Sequence, residues 1–283
     1  MTIRPQASNT GLDNVPVISA RDPDVPGLLP VGFHDRYEVH SYRSALHVLS
    51  RACKEEFDQI IDKLMGFQIS TIDMVTPGGN KSKIAIAMEN LLKPLNWNET
   101  RIVANLEITR ITRIRDPYTV LSGRSKGETK YRSRANHERF QIPNFVAGHK
   151  VDFVKGRVAF DMEWNSKDQT FDRDLNAVRA LYDCNIVAAG VLLTRSAELA
   201  PLFREIQNRL EIEKFASKYG ASTTWMKKLT DRLDAGRAGG CPILAIGIKP
   251  ALVTDFEAWK IAHPARRDVS FEIDGPADLR DEC

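Results

Sequence analysis

From Val158 to Trp164 apolar and polar positions alternate, with Val158, Phe160, Met162 and Trp164 on one face and Ala159, Asp161 and Glu163 on the other. A period of two predicts a strand buried on one side. It also sets two carboxylates on one face, with Cα atoms about 6.7 Å apart at a rise of about 3.3 Å per residue. Asp152 precedes them across Lys155-Gly156-Arg157, which reads as a turn. If the chain folds back there, three acids converge, as a hard divalent cation requires. The alternative is that these acids are simply solvated on the open face of an edge strand.

Elsewhere the period is helical. Leu46, Leu49, Cys53, Phe57, Ile60, Ile61 and Leu64 predict one structural helix stopped by Gly66, a candidate dimer surface. Pro77-Gly-Gly-Asn-Lys-Ser has the glycines and the Lys-Ser of a phosphate-binding loop. Asn80 precedes its lysine, however, and Val75 stands where the first glycine belongs. It therefore reads as a turn into a helix through Ile84, Met88, Leu91 and Leu92, ended by Pro94. Residues 102–114 are β-branched and read as extended.

Beyond the acidic strand, Phe171, Leu175, Val178 and Tyr182 predict a helix capped by Asp168 or Thr170, and Ile186 to Leu193 a buried strand. Strand, helix, strand indicates an α/β core. A long amphipathic helix follows from Leu199 through Leu210 toward Gly220. Ser222 or Thr223 then caps a helix carrying Trp225 to Arg232, and Gly236 to Gly240 turn into a last strand, Pro242 to Ile248.

Composition narrows the class. The 283 residues, 42% hydrophobic and 27% charged, suit one large domain over residues 31–263. A flexible, proline-rich arm covers residues 1–30, and a polar tail covers 264–283. With no run of about 18 apolar residues and no apolar signal-peptide core, a cytoplasmic protein is expected. Cys53, Cys184, Cys241 and Cys283 are scattered, which argues against structural zinc. The net charge of +3 says little, but its distribution says more: from Arg110 to Arg139 nine basic side chains face three acidic ones, with Tyr118 and Tyr131 interleaved. Such a run is either a solvated loop or a segment that attracts a polyanion to the carboxylates that follow.

Asp152-Phe153, Asp161-x-Glu163 and Trp164-Asn165-Ser166 together resemble the core of the PD-(D/E)XK nucleases, and more narrowly the type II restriction endonucleases of the BglII and BstYI kind. Ser222-Thr-Thr-Trp-Met and Gly239-Gly-Cys-Pro242 resemble further segments of that family, so the similarity spans about residues 134–248. The resemblance implies an α/β fold with a mixed central sheet flanked by helices. It implies a homodimer that hydrolyses double-stranded DNA at a short palindrome, with a GATC core and 5′-phosphate ends. Mg²⁺ is the implied cofactor, with Mn²⁺ as a substitute, and a companion DNA methyltransferase is the functional partner.

Carried onto this chain, the resemblance makes Asp152, Asp161 and Glu163 catalytic, and makes Asp152, Asp161 and the backbone carbonyl of Met162 the metal ligands. Glu163 stands where many relatives carry lysine, which leaves it open between general base and second-cation ligand. Glu138 is either an additional acid or a surface carboxylate. Asn165, Ser166 and Lys167 are the expected readers of DNA, since amides and lysines match the major-groove pattern. Arg173, Arg179, Lys130, Arg132, Arg134, Ser222, Thr223, Thr224 and Lys227 are further candidates for DNA contact. The rival readings are a nuclease of the same fold acting on repair or branched DNA, and a non-catalytic DNA-binding protein.

Overall fold

The computed structural model describes residues 19–24, 26–76 and 81–265. In chain order the elements are α1 (Phe33–Arg36), β1 (Tyr37–Tyr42), α2 (Ala45–Ala52), α3 (Lys54–Gly66), α4 (Thr71–Val75), α5 (Lys83–Leu92), β2 (Asn98–Thr100), β3 (Val103–Thr119), β4 (Thr129–Ala147), β5 (Val151–Lys155) and β6 (Val158–Glu163). They continue with α6 (Thr170–Asp183), β7 (Ala189–Arg195), α7 (Ala200–Leu210), α8 (Phe215–Lys218), α9 (Met226–Asp234), β8 (Ile243–Ile248) and α10 (Phe256–Ala262). Six strands form one mixed sheet in the order β1-β8-β7-β6-β5-β2. β6, β7 and β8 are parallel neighbours, and the other pairings are antiparallel.

The three parallel strands lie between two layers. On one face Phe160, Val191, Leu193, Leu244 and Ile246 meet Leu49, Ile60 and Leu64 of α2 and α3. On the other, Ala159, Leu192, Ile243 and Ala245 meet Phe171, Leu175 and Val178 of α6 and Leu229 of α9. β6 is thus buried along its whole length and on both faces, not on one. Its acidic face is covered by α6, because parallel strands are roofed by their crossover helices. Gly190 makes that roof close: a Cβ there would lie 2.6 Å from Val178 Cγ1 and 2.9 Å from Ile243 Cδ1.

Several expectations shift by a few residues. The helix expected over Leu46 to Leu64 is two helices, broken at Cys53 with φ −130° and ψ 44°. The long helix after Leu199 ends at Leu210, where Glu211 turns to φ 52°. Neither Asp168 nor Thr170 caps α6; the Asp168 carboxylate faces Lys228 at 3.5 Å and Arg232 at 3.7 Å instead. Ser222 and Thr223 do not cap α9, whose N-cap is Trp225, because the Thr223 hydroxyl donates to the Gly220 carbonyl at 2.7 Å. β1, absent from the sequence reading, alternates only from Tyr37 to His40 and is held by pairing with β8.

Part of the N-terminal arm is docked: the Asp22 N–H donates to the Ser41 carbonyl at 2.8 Å, and Arg21 Nε to the Tyr42 hydroxyl at 3.0 Å. Residues 1–18, and the tail from residue 266, lie outside the described residues. No described helix is long and apolar enough to cross a membrane. The basic segment is neither a loop nor part of the main sheet. β3 and β4 pair with each other from Val103↔Ala147 to Thr119↔Thr129, and most of their residues are exposed.

Candidate active site

Gly156, at φ +50°, turns β5 back on β6, with Lys155 paired to Val158 and Phe153 to Phe160. One further step of that register sets Asp152 opposite Asp161, on the same face of the sheet, and the two side chains come within hydrogen-bonding reach. The fold-back expected at Lys155-Gly156-Arg157 is therefore present and brings this pair together. Asp161 is buried, and its Oδ1 accepts the Met162 N–H at 3.0 Å. Burial first, then the charges of Asp174 and Asp152, raise its carboxyl well above the usual carboxylate range. Glu163, also buried, is raised by desolvation.

Asp174 was not anticipated. It is 1% exposed and occupies the apolar stripe of α6 together with Phe171, Leu175 and Val178. Its Oδ1 accepts from Arg173 Nε at 3.1 Å and Nη2 at 3.0 Å, and its carboxyl also lies within hydrogen-bonding reach of Glu163. Burial, followed by the neighbouring Glu163, pushes its carboxyl up to about 8. Arg173 Nη2 also lies 3.6 Å from Glu163 Oε1, so this predicted DNA-contacting residue belongs to the carboxylate cluster. The signal for Asp174 was legible: an acid at an apolar position of an amphipathic helix needs a partner.

A cleft of about 350 Å³ opens onto these acids. Asp152, Glu163 and Asn165 line it, and so do Asp73, Lys81, Ser82 and Lys83 from α4, α5 and the approach to α5. The segment that reads as a turn at Pro77 thus delivers its Lys-Ser end to the acids. Its residues 77–80 lie outside the described residues.

The two segments expected to read DNA meet. Lys167 forms a β-bridge with Thr223, and the Asp168 N–H donates to the Ser222 carbonyl at 3.0 Å. Beneath them the buried Arg195 donates through Nη2 to the Thr223 hydroxyl, with its guanidinium 5.6 Å from the Tyr219 ring centroid and 5.8 Å from that of Phe203. Among the described residues Arg195 has no carboxylate partner, and burial lowers it to about 10. It ends β7, two residues beyond the apolar run that closes at Leu193.

Other candidates lie apart from the acids. Glu138 is on β4, bound by Arg110 Nε at 2.7 Å, and is a surface ion-pair partner and not an additional acid of the cluster. Arg134 pairs with Asp116 at 2.6 Å, Arg132 stacks over Tyr118 at 5.3 Å, and Lys130 lies opposite Tyr118, all on the hairpin. Arg179 pairs with Asp183 at 3.4 Å and Lys227 with Asp231 at 2.8 Å, each on the exposed face of its helix.

The donors that converge are oxygen atoms only, which suits a hard cation and not zinc or copper. Repulsion among buried carboxylates is what such a cation relieves. Among the described residues no three His, Cys, Asp or Glu side chains form a metal-holding group. A cation here would be held by the Asp152 and Asp161 carboxylates, with the Met162 carbonyl as the candidate third donor; two carboxylates suffice for an ion that keeps water and phosphate ligands.

Residues 37–248, β1 through β8 of the main sheet, match the family model described as restriction endonuclease BglII/BglIII. No curated protein gives a significant match to the chain. That match covers more than half of the sequence and brings with it DNA as the substrate and, for the family in general, a divalent metal ion. With a mixed sheet whose β5–β6 hairpin carries paired aspartates beside a cleft, this chain belongs to the BglII/BglIII restriction endonucleases, which are type II site-specific deoxyribonucleases.

Proposed function

We propose that the protein is a Mg²⁺-dependent endonuclease that cuts both strands of DNA at a short palindrome with a GATC core, leaving 5′-phosphate ends. The observation that carries this reading is the meeting of Asp152 and Asp161 across the β5–β6 turn, behind a cleft lined by Asp152, Glu163 and Asn165. Asp152 and Asp161 would hold Mg²⁺, which would supply a lowered water pKa and a polarised phosphodiester. The chain's own groups orient the reactants: Glu163 is placed to accept a proton from the attacking water, and Arg173 holds Glu163 and Asp174 in position. The water oxygen bonds to phosphorus, the P–O3′ bond breaks, and O3′ leaves as the hydroxyl after taking a proton from a solvent water.

Each chain has one such cluster and a duplex has two strands, so a homodimer with two-fold symmetry fits the reaction. Asn165, Ser166 and Lys167, braced by Ser222, Thr223 and Thr224, form the reading platform. The β3–β4 hairpin supports DNA as the substrate on separate grounds. Over residues 103–147 it carries nine basic and four acidic side chains. A strand of 17 residues extends about 55 Å at about 3.3 Å per residue, and a two-stranded ribbon fits the major groove. A companion methyltransferase would protect the host's own sites.

The test is digestion of unmethylated plasmid and long phage DNA with Mg²⁺ or EDTA, by wild type and Asp161→Asn. Discrete fragments that need Mg²⁺ and are lost in the variant are expected, and sequencing their ends gives the site and overhang. A smear would show a nuclease without sequence preference, and intact DNA under every divalent ion would overturn the enzymatic reading.

A further inference from the structure

The cleft is lined by three acids, Asp73, Asp152 and Glu163, and by three lysines. Behind Asp152 and Glu163 lie Asp161 and Asp174, and the guanidinium beside them, Arg173, is taken up by Asp174 and Glu163. A DNA phosphate entering this site meets carboxylates, and the strand that carries them offers Glu163 in place of a cation. Positive charge must come from elsewhere in the cleft, because charge building on the phosphate oxygens in the transition state needs a donor already in place.

Three lysines line the cleft, and two are occupied. Lys81 Nζ is 2.9 Å from Glu89 Oε1, and Lys218 lies over the Tyr219 ring at 5.8 Å. Lys83 is exposed and, among the described residues, has no ion pair, hydrogen bond or ring contact. It is the first residue of α5, after Ser82, whose hydroxyl caps the helix by accepting the Ala85 N–H at 3.1 Å. The first turn of α5 holds no acid. A lysine at that end is repelled by the helix dipole, an unfavourable placement in the free protein that an arriving anion reverses.

We propose that Lys83 is a catalytic residue that binds the scissile phosphate and stabilises the charge on its oxygens in the transition state, while remaining an ammonium throughout. This inference rests on the nuclease reading above. Nothing in the fold depends on the Lys83 head group, so its variants are expected to fold.

The experiment compares wild type, Lys83→Met and Lys83→Arg in single-turnover cleavage with Mg²⁺ and in DNA binding with Ca²⁺, using a duplex that contains the site wild type cuts. Lys83→Met is expected to lower the cleavage rate about 10²- to 10³-fold, the usual cost of losing one transition-state donor, while binding changes by less than about fivefold. Lys83→Arg should recover at least about a tenth of the wild-type rate. Cleavage by Lys83→Met at the wild-type rate overturns the proposal, as does a loss of binding equal to the loss of rate, which would make Lys83 a docking residue only. If wild type itself cuts no DNA, the nuclease reading fails first; a cutting wild type with an unaffected variant refutes Lys83 alone.

Discussion

Ser166 and Thr224 hold each other. The Ser166 N–H donates to Thr224 Oγ1 at 3.2 Å, and the Thr224 N–H donates to the Ser166 carbonyl at 2.9 Å. The loop that leaves β6 and the segment that enters α9, about 58 residues apart, are thereby one unit beside the carboxylate cluster. A base-reading group on one cannot shift without the other.

Thr224→Val keeps the shape and removes the acceptor, leaving the Ser166 N–H without its partner, at a cost of about 1–3 kcal/mol. The expected outcome is a protein that still folds but discriminates less well, with cleavage at single-mismatch sites rising about tenfold relative to the preferred site. Competition digests of matched and mismatched duplexes measure this; unchanged discrimination would show that the coupling is only structural.

Asp174 gives the metal-free protein a pH dependence with a definite sign. Its carboxyl titrates near 4 in an unfolded chain and is pushed up to about 8 when folded, by burial and then by Glu163. Between those values the native state holds a proton that the unfolded state has released. The contribution is complete below about pH 4 and is lost as pH rises toward 8, with a slope of up to about 1.4 kcal/mol per pH unit. Urea unfolding in EDTA from pH 5 to 9 should show stability falling with pH, and Asp174→Asn should show a shallower fall. Parallel curves for the two proteins would rule out this titration.

Arg195 is a buried charge with no carboxylate beside it among the described residues, placed under the loop that carries Thr223. Keeping a cation there without a carboxylate costs stability, and a DNA phosphate docked on the Thr223 loop would supply an anion. Arg195→Met is expected to melt at or above the wild-type temperature while binding DNA about tenfold more weakly at low salt. A lower melting temperature with unaltered affinity would make the residue a structural prop.

The hairpin makes a prediction about salt. Replacing Arg113, Arg115, Lys130 and Arg132 by glutamine should lower the slope of log affinity against log salt by about 0.9 for each phosphate contact removed. The cut site should stay the same. A slope equal to wild type would mean that β3 and β4 face solvent or another protein, and not DNA.

Much of this molecule is local information. The period of two over Val158 to Trp164 placed both acids on one face, and the glycine turn before it brought Asp152 back to Asp161, because alternation and turn chemistry are properties of short stretches. The helical runs that became α5, α6, α7 and α9 were legible for the same reason. What the sequence could not show depends on partners distant along the chain. The acidic face of β6 reads as open and is roofed by α6, whose close approach needs Gly190 on a different strand. The Lys-Ser segment after Pro77 reads as an ordinary turn, and only the packing of α4 and α5 against the sheet carries it to the acids. Arg195 and Lys83 acquire their roles from burial or from unmatched charge, and both are set by which residues the tertiary fold brings near and which it leaves without a charged partner.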